Sequence, residues 1–125
     1  MALTTIPAAM SGVPFALQAA AATGNGNVLA IPPSFNNHTF MVTASVGTTA
    51  GAVTIETSND PNDPNTWAAI VPDKSIANPL TVNAGADLLV PYSGRLNIIR
   101  ARISTTISGG SSPSVTVMYE GAKSY

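Results

Sequence analysis

The stretch from His38 to Trp67 constrains the chain most. In its first part Phe40, Val42, Ala44 and Val46 fall on one face of an extended strand, while Thr39, Thr43 and Ser45 fall on the other. A period of two puts successive side chains on opposite sides of a pleated strand, so one face is buried and the other meets water. The turn 47–51 has glycine at both ends and leads into a second run, in which Val53 and Ile55 face one way. Two alternating runs joined by such a turn predict an antiparallel hairpin. A polar, proline-bearing loop, 58–66, then delivers Trp67, the only tryptophan, which is expected to plug the core.

The remaining runs are short and punctuated in the same way. The segment 15–22 is alanine-rich, which favours helix. The turn formed by Gly24, Asn25 and Gly26, with a second apolar run at 28–31 behind it, favours a strand instead. Short strands are expected at 66–71, 80–82 and 87–90, a turn at 91–94, and a long strand at 95–103. On that strand Ile99, Ala101 and Ile103 share one face and Arg100 and Arg102 the other. A flexible loop at 108–113 would join the last hairpin, closed by a strand with Val115, Val117 and Tyr119 inward. Turn signals about every ten residues and no convincing helix predict an all-β fold, a single antiparallel β-sandwich or jelly-roll-like domain. Seven to nine strands are expected in residues 16–125, preceded by an extended N-terminal arm at 1–15.

Charge bounds the function classes. Only 9% of residues are charged, against about a quarter in ordinary soluble domains. Hydroxyls and amides must therefore solvate the surface, which suits a protein packed against others or lying outside a cell. A net charge of −1 supplies no basic face for nucleic acid. Pro7 and Pro14 break the N-terminal apolar run well short of a membrane span, and no base precedes Lys74 as a secretory signal requires. The charges are segregated, with no base and four acids in 1–73 but five bases and two acids in 74–125. Either the basic strand lies beside the acidic loop within one chain, or copies meet head to tail.

Catalysis is poorly supplied, and no enzymatic activity is expected. His38 opens a strand without a nucleophile elbow anywhere in the chain, so a structural or surface role is expected for it. Asp60 and Asp63 have no apolar surround to raise a carboxyl pKa. The oxygens of Asn59, Asp60, Asn62, Asp63 and Asn65 lack calcium-loop spacing, and turn chemistry explains them more simply. With one histidine and no cysteine, no metal site of the usual zinc kind and no cofactor are expected.

The run from Thr54 to Asp60 that leads to Trp67 resembles β-sandwich modules of tailed-phage virion proteins: head decoration (cement) proteins, head fibres and some tail components. The later run from Tyr92 to Ile103, an aromatic turn before an arginine-bearing strand, is similar to the same modules. The resemblance spans roughly Thr39 to Tyr119, and the longer insert at 60–65 departs from it. It implies a structural protein on the capsid surface of a virion, made in the host cytoplasm. The major capsid protein would be its partner, and a homotrimer its form. A tail or neck component, or a receptor- or carbohydrate-binding module using Trp67 and the 60–65 loop, are the alternative expectations. Leu3, Ile6, Met10, Val13 and Phe15 of the arm are the candidate anchors on a neighbour, and Arg100 and Arg102 are candidates to meet an anionic partner.

Overall fold

The computed structural model describes residues 3–7, 11–59, 66–83 and 87–123. They form β1 (Leu3–Thr5), β2 (Phe15–Ala21), β3 (Val28–Ala30), β4 (Phe35–Ala44) and β5 (Ala50–Ser58). Beyond these lie β6 (Ala68–Ala69), a 3-10 turn at Asp73–Ser75, β7 (Leu80–Thr81), β8 (Leu88–Ser93), β9 (Ile98–Ser108) and β10 (Val115–Lys123). One sheet runs β1-β3-β9-β5-β6, with β7 on the same edge of β5 as β6; the other runs β2-β10-β4-β8. Their inner faces share one core, with Val53, Ile55, Ile99 and Ala101 from the first against Leu17, Phe40, Val42, Val115, Val117 and Tyr119 from the second. The all-β sandwich is as expected. Its ten described strands exceed seven to nine because four are only two or three residues long.

The expected hairpins are not there. β4 pairs with β10 and β8, whereas β5 pairs with β9, β6 and β7, so the turn between them crosses from one sheet to the other. β2 and β3, and likewise β9 and β10, lie in opposite sheets too. Among the described strands β5 and β6 are the one consecutive pair that hydrogen-bond. The alternation in β4 and β5 specifies only that each buries one face. Facing each other across the core, about 10 Å apart, satisfies that as well as lying side by side.

Hydroxyl contacts, one local and two distant in sequence, fix that crossing. Ser45 Oγ is 2.9 Å from Thr48 Oγ1, donates to Ser112 O at 3.1 Å and accepts from Ser114 N at 3.0 Å. One hydroxyl thus ties the 45–49 corner to the segment entering β10. The corner also throws Val46 out to 96% exposure, off the buried face where the alternation put it.

Two further expectations shift. Pro91, Tyr92 and Ser93 belong to β8 rather than to a turn. A proline is tolerated there because β8 is the sheet's edge, pairing only with β4 among the described strands. The described part of segment 1–15 packs on the domain itself. β1 runs parallel to β3, Ile6 N donates to Ala30 O at 3.0 Å, and Gly12 N donates to Gly121 O at 2.8 Å.

A buried and a half-buried amide stitch the structure. Gln18 Nε2 donates to Ala101 O at 2.7 Å and to Gly24 O at 3.1 Å, joining β2 to the opposite sheet. The Asn78 side chain accepts from Ile55 N at 3.1 Å and donates to Ile55 O and Ile70 O, both at 2.9 Å. It thereby completes the edge of β5 between its two short partners, sparing buried backbone groups from going unpaired.

Candidate interaction surfaces

Three places in the sandwich gather side chains that chemistry or recognition could use: an aromatic knot in the core and the two outer sheet faces.

The knot is His38 with Tyr119 and Tyr92. His38 Nε2 lies 2.7 Å from Gly94 O, and a carbonyl only accepts, so Nε2 carries the ring proton. Nδ1 is therefore the acceptor, and the Tyr119 hydroxyl donates to it at 2.6 Å. The His38 ring stacks on Tyr119 with centroids 5.7 Å apart. Burial lowers the histidine's pKa below 6.5, partly opposed by the Gly94 carbonyl, and burial raises that of Tyr119. Both ring nitrogens are spent on fixed partners, so His38 is a buried structural residue, as expected. Gly121 is required beside the knot, because a Cβ there would run into the Tyr119 hydroxyl and the Phe35 ring.

On the outer face of the six-stranded sheet, register places Glu56 opposite Arg100 and Thr54 opposite Arg102. Glu56 Oε1 accepts from Arg100 Nε at 2.8 Å and from Arg102 Nε at 3.2 Å. The Arg100 guanidinium lies 4.3 Å from the centre of the Trp67 ring. Arg100 and Glu56 are 7% and 6% exposed, while Arg102 is half-buried. The segregated charges thus meet, for these three residues, within one chain. Trp67 is half-buried and caps this ion cluster from outside the core, contrary to the expectation of a core plug. A ring rich in π-electrons shields the guanidinium from water at lower cost than an aliphatic cap would.

The outer face of the four-stranded sheet is different. Met41 of β4 pairs with Leu89 of β8 on one side and Met118 of β10 on the other, and Met118 pairs with Ala16 of β2. One apolar row therefore crosses all four strands. Met41 is 44% and Leu89 59% exposed, and Thr39, Thr43 and Glu120 flank them. Pro14, Thr39, Met41, Met118, Tyr119 and Glu120 line a dent of about 290 Å³ beside this row. Among the described residues Glu120 makes no ion pair. The row leaves apolar side chains in contact with water that neither the core nor another strand covers among the described residues.

The expected anchors are dispersed. Ile6 is 2% exposed in the core of its own chain, Phe15 packs against that core, and Val13 is exposed beside Pro14. Leu3 opens β1; Met10 and the 60–65 loop lie outside the described residues. Arg100 is taken up by Glu56 and Trp67, and Arg102 keeps part of its guanidinium at the surface. The row of Met41, Leu89 and Met118 was not among the expected site residues. Its signal was Met41, an apolar residue in the polar phase of β4 between Thr39 and Thr43. Among the described residues no three histidine, aspartate or glutamate side chains gather in a metal-binding group.

No family model matches the sequence, and no curated protein sequence matches it. Among solved structures the chain is similar to the SPBc2 prophage-derived protein YomS, with a TM-score of 0.59 over 87% of this chain and 90% of that one. At 13% identity, what the two share is the fold.

Proposed function

We propose that the chain is a non-enzymatic structural protein of a tailed-phage virion, which decorates the capsid and stabilises it through contact with the major capsid protein. The observation that carries this reading is the exposed row of Leu89, Met41 and Met118 across the four-stranded sheet. The shared fold with a prophage-derived protein supports it, as do the sparse charge and the engagement of His38 in purely structural bonds. Burying a methionine or leucine side chain contributes about 1.5–3 kcal/mol. A homotrimer on the shell would present three such rows at once, so modest single contacts would add to a firm attachment. Docking through this row leaves Ile6 in the core of its own chain instead of lending it to a neighbour.

The test is co-sedimentation with capsids assembled without this chain, using wild type and the triple variant Met41→Ser, Leu89→Ser, Met118→Ser. The expected result is that wild type pellets with the shells and the variant, equally stable, stays in solution. Light scattering should give three times the chain mass. Equal pelleting of the folded variant, or no pelleting of wild type, would overturn the reading.

A further inference from the structure

The dent beside the apolar row specifies the chemistry of what it receives. Its lining is Pro14, Thr39, Met41, Met118, Tyr119 and Glu120, largely apolar with one carboxylate. At about 290 Å³ it holds one long side chain. Methionine walls adapt to an unbranched aliphatic stem, because thioether side chains have three rotatable bonds and a polarisable sulfur. Glu120 faces out from β10, forms no ion pair among the described residues, and is the one charged group of the lining. Gly12 lies beside the carboxylate: a Cβ added there would stand 3.9 Å from Glu120 Oε1.

We infer that this dent is the anchor point of the face and takes an arginine or lysine side chain from a partner protein. The aliphatic stem lies between Met41 and Met118, and the cationic head meets Glu120. Long cationic side chains cover apolar surface with their stems while keeping the charge at the rim, which is the shape and polarity of this dent. A purely apolar occupant would leave Glu120 half-desolvated without a counter-ion, and an acidic one would be repelled. The Glu56 cluster on the opposite sheet offers no such opening, because its carboxylate already holds two arginines.

The inference rests on reading the face as an interface, but its test needs no capsid, so the two can fail separately. The probes are three blocked tripeptides with leucine at both ends and arginine, norleucine or glutamate in the middle. The readout is the methyl carbon–proton spectrum of the full chain labelled at methionine. The arginine probe should shift the Met41 and Met118 methyls in a saturable way, and more tightly than norleucine by about fivefold. Glu120→Gln, with an otherwise unchanged spectrum, should remove that preference, and Glu120→Lys should transfer it to the glutamate probe. An unchanged arginine preference in Glu120→Gln, equal response to all three probes, or no methyl shift would overturn the inference.

Discussion

On the outer face of the six-stranded sheet Glu56, Arg100, Arg102 and Trp67 satisfy one another, and the cluster is largely closed to water. On the outer face of the four-stranded sheet Met41, Leu89 and Met118 make an apolar row that ends in solvent, beside Glu120, which makes no ion pair among the described residues. The two faces enclose the same core, yet one uses its side chains for the chain's own stability and the other leaves apolar ones exposed. Charge is therefore a poor guide to function in this molecule. Two of its three arginines are internal ties, and the apolar row carries one charge at its edge, that of Glu120.

Five measurements test that contrast. Glu56→Ala leaves the Arg100 guanidinium buried without its carboxylate, so chemical denaturation should show a loss of about 3–5 kcal/mol. A loss near zero would mean the cluster is solvated and no more structural than the opposite face. Tyr119→Phe takes the donor from His38 Nδ1 and should cost about 1–3 kcal/mol. The same knot sets a pH dependence. The folded pKa of His38 is lowered below 6.5 by burial, so between that value and 6.5 the unfolded chain binds the proton more readily. Stability should be flat above about pH 6.5 and fall as the pH drops through this range. A His38→Gln variant should lose that slope, and a slope that survives would assign it to other groups.

Trp67→Ala separates a cap from a plug. Loss of the contact with Arg100 should cost about 1 kcal/mol, whereas a core tryptophan would cost about 3–5 kcal/mol. The smallest effect belongs to the other face. Met41→Ser and Leu89→Ser should each change stability by no more than about 0.5 kcal/mol, while weakening capsid binding. A large destabilisation there would show that the row serves the fold and would erase the distinction between the faces.

How far the sequence carried can be followed residue by residue. The inward phase of β9, with Ile99, Ala101 and Ile103 buried and Arg100 and Arg102 outward, follows from alternation, which is a local property. So does the strand at Phe15–Ala21, where turn chemistry outweighed the helix preference of alanine. The apolar row was half legible, since Met41 already stands out of phase, but nothing in the sequence says that Leu89 and Met118 lie on either side of it.

Local pattern alone makes the chain a β-sandwich, sets which side chains of each long strand point to the core, and leaves its charges few and divided between its halves. Only the tertiary structure decided which strands are neighbours. It sent β4 and β5 to opposite sheets, set Trp67 over Arg100 outside the core, and lined up the apolar row. The reason is physical: a period of two fixes the side to which a residue points, whereas pairing depends on hydrogen bonds between strands far apart in the chain. A crossing and a hairpin satisfy the same local pattern, and the choice falls to contacts such as those of Ser45 with Ser112 and Ser114.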